Sequence, residues 1–164
     1  FQRISKDRLR KVMEMEADRM VNLKLADKEV LTERDVILEE RRSRIENNPA
    51  AILDEQMDAS LYLHHPYGVP VIGWEHEIAQ LSRQNAIDFY KRYYAPNNAI
   101  LVVAGDVTPE EVKKNAIETY GKLPANPAAP RAVRASDPPQ RVARRVMLED
   151  PRAGKASIHR DYLV

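Results

Sequence analysis

The feature that most constrains the fold is one short apolar run, rich in branched residues, that lies between two helical patterns. Residues 99–104, Ala-Ile-Leu-Val-Val-Ala, are all apolar, and Gly105 and Asp106 follow them directly. A run of this length is typical of a buried β-strand, because strands are shorter than core helices and favour branched side chains. Two later segments, 141–148 and 155–164, also have the residue pattern of strands. The chain is therefore predicted to contain strands as well as helices.

The other patterned segments are helical, and their ends carry recognisable signals. Apolar residues at helical spacing predict helices over about 5–25, 27–48, 49–61, 82–94 and 108–121. Ser5, Ser82 and Thr108 have side chains suited to cap a helix N-terminus. Pro49 stands in a first helical turn, where its missing N–H costs little. Residues 64–73 contain two prolines and two glycines, and this composition predicts a loop.

A proline-rich stretch separates this helical part from the last two predicted strands. Five of the eleven prolines lie within residues 124–139, among alanine, asparagine, arginine and serine, which is the composition of a linker. We therefore predict an organised part over 1–123, a linker over 124–140, and strands over 141–164.

Charge and composition exclude several classes of function. The chain has 26 Lys and Arg against 25 Asp and Glu, a net charge of +1, so it has no global field that would attract nucleic acid or an anionic membrane. No apolar run approaches the roughly 20 residues that span a bilayer. There is no cysteine, which excludes a disulfide scaffold, a cysteine nucleophile and a cysteine-ligated zinc site.

Two carboxylates on the second predicted helix are the strongest candidates for a functional site. Glu33 and Glu40 are seven residues apart, so they share one face of a helix. On a helical wheel that starts at Val30 they fall at about 300° and about 280°, beside the apolar stripe in which Ile37 and Arg41 lie. A row of acids at the edge of a core calls for a counter-charge, which an arginine, a lysine or a metal ion can supply.

The spacing alone leaves a structural role open beside a metal-binding or catalytic one. Arg44 follows Glu40 by four residues, the order that favours a surface salt bridge. Glu16 lies on the apolar face of the first helix, where a pair with Arg19 would satisfy its carboxylate and a role near a site is the alternative.

The histidines do not form a metal site by themselves. The chain has four of them: His64, His65, His76 and His159. None has the spacing of HExxH or HxxEH. We expect them to serve as hydrogen-bonding groups in loops.

Four segments, in this order, match a known family pattern. They are 17–20 (ADRM), 33–40 (ERDVILEE), 65–73 (HPYGVPVIG) and 94–107 (YAPNNAILVVAGDV). Together they resemble the M16 metallopeptidases, the family of pitrilysin, insulysin and the mitochondrial processing peptidase. Order and spacing agree over residues 1–123 and more loosely to 164, and they are most similar to the bacterial and processing-peptidase branch.

This resemblance implies a fold and an organisation. The fold would be α/β (α+β), with an antiparallel-rich sheet on which helices pack, as one copy in a tandem of similar domains. Residues 1–123 would be the C-terminal part of a catalytic-type domain, and 141–164 would lead toward the next domain. The bacterial periplasm or cytoplasm is favoured over a eukaryotic organelle.

The resemblance also implies a zinc site. In this family a helix carries H-x-x-E-H, in which two histidines bind zinc and the glutamate is the general base. The third ligand, a glutamate on a later helix, matches Glu40, and a supporting acid seven residues earlier matches Glu33. The chain contains no H-x-x-E-H, and the family order places that motif upstream of Phe1. We therefore expect these 164 residues to be inactive alone.

The expected substrate is a peptide or an unfolded polypeptide, enclosed in a chamber between two M16-like domains or subunits. A non-catalytic M16-like partner or scaffold subunit is the alternative. A third possibility is a helical interaction domain in which Glu33 and Glu40 are plain surface acids.

Overall fold

The computed structural model describes residues 1–130 and 133–163, and the regular structure of these residues is helical. Its α-helices are α1 (Leu9–Asn22), α2 (Asp27–Arg41), α3 (Pro49–Leu61), α4 (Glu75–Ile78), α5 (Arg83–Tyr93) and α6 (Pro109–Glu118). The chain forms two compact units. The first unit comprises Phe1–Ala26 and Arg83–Ala132, and the second comprises Asp27–Ser82 and Val133–Val164. Within the described residues, no helix combines the length and apolarity needed to cross a membrane.

The predicted α/β fold with an antiparallel-rich sheet is wrong for the described residues. Segments 99–104 and 141–148, and the described part of 155–164, are extended, but none of them forms a ladder with another described segment. Ile100 is 92% exposed and Val102 is 81% exposed, so the run predicted as a buried strand is open to solvent. A strand requires a neighbour that accepts and donates its backbone hydrogen bonds. Residues 131 and 132 of the predicted linker, and Val164, lie outside the described residues.

The helix predictions are confirmed, because local signals determine where the helices begin. The Asn48 side chain accepts hydrogen bonds from two backbone N–H groups in the first turn of α3, which has Pro49 at its first position. Thr108 and Glu111 form a reciprocal capping box at the start of α6. Ser5 differs from the prediction: its side chain makes no capping hydrogen bond, and a 3-10 turn precedes α1.

The core of the first unit joins α1 to α5. Met13, Ala17, Tyr90 and Ala95 are buried there. The Tyr90 hydroxyl donates to the carbonyl of Arg19 at 3.0 Å and accepts from the N–H of Leu23 at 3.2 Å. This hydroxyl therefore satisfies two backbone groups at the C-terminal end of α1, where helix geometry leaves carbonyls without partners.

In the second unit, one carboxylate of the proline-rich stretch forms hydrogen bonds with the segment that follows α3. Asp137 accepts hydrogen bonds from the consecutive N–H groups of Leu63, His64 and His65, at 3.0, 2.8 and 2.8 Å. Gln140 Nε2 donates to the same carboxylate at 2.8 Å. Desolvation raises the pKa of Asp137, but these hydrogen bonds lower it by more and hold the pKa at about 2.

The low pKa of Asp137 predicts how this contact responds to acid. A carboxyl whose pKa is depressed by folding contributes stability above its ordinary pKa of 3.8, and this contribution is lost as the pH falls toward 2. We expect the amide NMR signals of His64 and His65 to titrate with a midpoint near 2. The variant Asp137→Asn should abolish that titration. A midpoint near 4 in the parent protein would contradict the contact.

Candidate functional site

Both predicted site carboxylates lie on α2, and both are exposed. Glu40 Oε1 is 2.7 Å from Nη2 of Arg44, and the two side chains are 43% and 72% exposed. The predicted surface salt bridge is therefore present. The Glu33 side chain makes no hydrogen bond or ion pair with any other described residue. The two acids thus share one helix, but no described basic residue brings them together.

The helix changes geometry directly after Glu40 and Arg41. α2 ends at Arg41, and a π-helical turn follows over Arg42–Glu46. The N–H of Asn47 donates to the carbonyl of Arg42 at 3.0 Å, five residues back. Single π turns inside helices are rare and occur frequently at functional sites. Glu40 is therefore the last acid of α2 before its hydrogen-bond register changes.

Arg41, beside Glu40, forms the most buried charged contact of the second unit. Its guanidinium makes a fork to Glu55 on α3, with Nη1–Oε2 at 2.7 Å and Nη2–Oε1 at 2.9 Å. Nη1 also donates to the carbonyl of Gly73 at 2.9 Å, and Nε lies 3.4 Å from Oε1 of Glu46 without forming a hydrogen bond. Arg41 is only 5% exposed.

This contact joins three segments of the second unit: the end of α2, α3 and the loop that precedes α4. The hydrogen bonds to Glu55 raise the pKa of Arg41, while desolvation opposes that rise. Gly73 has a φ of 92°, a backbone conformation that side chains other than glycine rarely adopt. The loop can therefore turn its carbonyl toward the guanidinium.

Arg41 was not among the residues predicted for the site, although the sequence carried a signal for it. Arg41 lies within the apolar stripe of α2, where a charged side chain is unfavourable unless a partner neutralises it. The partner, Glu55, could not be identified because it lies on another helix. Nothing in local sequence specifies which acid of α3 faces α2.

An open cavity of about 390 Å³ lies beside Glu40. Its lining combines the two charged side chains of the ion pair with apolar residues: Glu40, Arg44, Ile45, Pro70, Val71 and Ile72. Three of these residues belong to the predicted loop 64–73. The Glu40 carboxylate is therefore reachable from solvent, next to an apolar wall.

Of the histidines predicted to be hydrogen-bonding groups in loops, His65 is confirmed in that role, whereas His76 does not lie in a loop. His65 stacks edge-on against Tyr67 at 4.4 Å, and its Nδ1 accepts the N–H of Tyr67 at 3.2 Å. His76 lies on α4, and His159 lines another cavity of the second unit. Over residues 1–130 and 133–163, no three histidine, aspartate or glutamate side chains are grouped so as to hold a metal ion.

Glu16 is paired, as expected. Arg19 Nε donates to its Oε2 at 3.0 Å, and Gln2 Nε2 donates to its Oε1 at 3.1 Å. The hydrogen bond from Arg19 is the main cause of the lowered pKa of this carboxyl. Glu16 is therefore satisfied within the first unit.

Comparison with known proteins places this chain in a family. The family profile described as "Peptidase M16 inactive domain" matches residues 80–159. The chain is 37% identical over 112 residues to the zinc protease PqqE of Helicobacter pylori, covering 68% of this chain and 25% of that protein. It is 26% identical over 149 residues to the beta subunit of the mitochondrial-processing peptidase of Neurospora crassa, covering 90% of this chain and 31% of that protein.

A solved structure agrees with these matches. The crystal structure of a protease from Helicobacter pylori superposes with a TM-score of 0.70 at 33% identity, over 78% of this chain and 32% of that one. The chain belongs to the M16 peptidase family. It spans between a quarter and a third of the length of these relatives. The matched profile begins at residue 80, after both Glu33 and Glu40.

The buried pair predicts a sharp asymmetry between single and double substitutions. Arg41→Met leaves the Glu55 carboxylate buried without a counter-charge, which costs about 3–5 kcal/mol of unfolding free energy. Replacing both partners, with Arg41→Met and Glu55→Leu, should recover most of that loss, because no charge is then buried. Urea unfolding followed by circular dichroism measures the unfolding free energy of the single and the double variant.

Arg42 provides a matched control for this prediction. It lies next to Arg41 and pairs with Glu39 on the exposed surface. Arg42→Met should cost less than about 1 kcal/mol. If Arg41→Met and Arg42→Met lower the unfolding free energy equally, the buried Arg41–Glu55 pair is no more important for stability than an exposed pair.

Proposed function

We propose that this chain supplies one glutamate ligand of the zinc site of an M16 metalloendopeptidase, and that the ligand is Glu40. The observation that supports this proposal most directly is the accessible carboxylate of Glu40 on α2. It lies beside an open cavity, in a chain whose relatives are named zinc proteases. The two histidine ligands and the general base belong to an H-x-x-E-H helix, which these 164 residues do not contain. The chain alone is inactive under this proposal.

The chemistry of Glu40 fits one position of such a site. Carboxylate oxygens are established zinc ligands in proteins, alongside histidine nitrogens. The exposed pair with Arg44 is worth about 1 kcal/mol at most. Glu40 can therefore leave Arg44 for a metal at little cost. Bound zinc would lower the pKa of a coordinated water so that it can attack a peptide bond.

Glu33 has a supporting role in this proposal. It lies about 10 Å from Glu40 along the helix, given a rise of 1.5 Å per residue, and on the same row. Its carboxylate has no described partner, so it is available to accept a hydrogen bond from a group that orients a ligand. We assign Glu33 this supporting role and not direct contact with the metal.

The same family membership supports a proposal for the partner and the substrate. We propose that a second M16-like domain or subunit encloses the substrate together with this one, and that the substrate is a peptide or an unfolded polypeptide. The Neurospora relative is named as a subunit of a processing peptidase, which supports the two-part arrangement. The apolar wall beside Glu40 would contact substrate side chains.

A second candidate function has one specific observation in its favour. The matched profile describes an inactive M16 domain, which favours a non-catalytic partner or scaffold subunit. That profile does not reach Glu33 or Glu40, so it does not bear on the two acids. The two candidates differ in whether the full-length protein binds zinc through Glu40.

Glu40→Gln in the full-length protein tests the ligand. Glutamine keeps the shape but loses the charge, so we expect zinc affinity to fall more than about 100-fold, beyond the range typical of residues that only support a ligand. Competition with a chromophoric chelator measures affinity, and cleavage of an unfolded fluorogenic peptide measures activity.

The neighbouring acid is the matched control for Glu40. Glu39 is exposed on the same helix and pairs with Arg42. Glu39→Gln should leave both readouts within about twofold, which corresponds to about 0.4 kcal/mol. Unchanged zinc content in Glu40→Gln would show that the ligand assignment is wrong and would favour the non-catalytic candidate.

Glu33→Gln tests the supporting role separately. We expect zinc affinity to weaken by about tenfold, the low end for a residue that supports a ligand. Asp35 is a suitable control, because it is exposed on the same helix and pairs with Arg34. If Glu33→Gln and Asp35→Asn give the same affinity, Glu33 has no role at the site.

A further inference from the structure

We propose that Arg41 is a positioning residue that fixes the direction of the Glu40 carboxylate. This inference rests on the proposed function, since it requires Glu40 to be a ligand. Adjacent residues on an α-helix point about 100° apart, so holding one side chain in a fixed direction fixes the direction of the next. Arg41 is held at its tip by groups from other segments.

Arg41 is the most deeply buried residue of α2. Among the residues of α2, all of which the structure describes, Arg41 alone is buried. Of its apolar residues, Leu31 and Val36 are exposed, whereas Val30, Ile37 and Leu38 are half-buried. Arg34 also donates from Nη1 to the carbonyl of Ala79 at 3.3 Å. The guanidinium fork of Arg41 is the buried, directional contact that stands next to Glu40.

The fork is directional in a way that a simple charge is not. It donates two parallel hydrogen bonds to Glu55 and a third to the Gly73 carbonyl. A planar guanidinium makes such contacts only in one orientation, whereas a lysine ammonium is a point charge on a flexible stem. Arg41 therefore contributes orientation as well as neutralisation of Glu55.

The backbone after Arg41 cannot supply this orientation. The π-helical turn Arg42–Glu46 begins at the next residue, so the regular α-helical register ends there. The remaining contact of Glu40, with Arg44, is made by a side chain that is itself largely exposed. Arg41 is therefore the fixed point next to Glu40.

Arg41→Lys in the full-length protein tests the inference. It keeps the positive charge beside Glu55 but loses the fork, so we expect zinc to bind about tenfold more weakly in protein that remains folded by circular dichroism. The d–d absorption bands of the cobalt-substituted protein should also change, because they report ligand geometry. Loss of stability alone would not change them.

Two control variants separate positioning from general destabilisation. Arg42→Lys changes the neighbouring exposed arginine, and Asp137→Asn weakens the second unit at another place. Both should leave zinc affinity and the cobalt spectrum unchanged. If Arg41→Lys does not remain folded, the pair Arg41→Met with Glu55→Leu takes its place, since it also lacks the fork without burying a charge.

The outcomes distinguish this inference from the proposed function. Weaker zinc binding in Arg41→Lys, with both controls unchanged, supports positioning. Zinc binding that falls in Glu40→Gln but not in Arg41→Lys overturns positioning and retains the ligand. Zinc binding unchanged in Glu40→Gln overturns both.

Discussion

The second unit depends on one buried ion pair, between Arg41 at the end of α2 and Glu55 on α3. Burying two charges is expensive, and good geometry with further hydrogen bonds is needed to offset the cost. Here both carboxylate oxygens of Glu55 accept a hydrogen bond from the guanidinium, and the Gly73 carbonyl accepts a third. The same pair joins α2, α3 and the loop before α4, so it organises the surroundings of Glu40.

Local structure could be predicted from the sequence, and non-local pairing could not. The helices followed from apolar spacing and from caps such as Thr108, whose partner lies three residues away. The strand at 99–104 had a strand's composition, but a ladder depends on a neighbouring strand that no local pattern specifies. The Asp137 contact was missed for a related reason, since its three N–H partners lie more than 70 residues away.

At the candidate site, too, local geometry could be predicted from the sequence and non-local contacts could not. A seven-residue spacing is enough to predict that Glu33 and Glu40 share a face, because helix geometry is regular. The role of each acid came from family resemblance, and the salt bridge between Glu40 and Arg44 is what spacing alone favours. These two views are compatible, because an exposed ion pair is weak enough for a metal to replace.

The most direct test of the account is anomalous diffraction at the zinc edge from crystals of the full-length protein. We predict a zinc peak about 2.0–2.2 Å from a Glu40 carboxylate oxygen, with two histidine nitrogens as the other protein ligands. Arg44 should then no longer contact Glu40. A zinc peak on other residues, with Glu40 still paired to Arg44, would contradict the central claim.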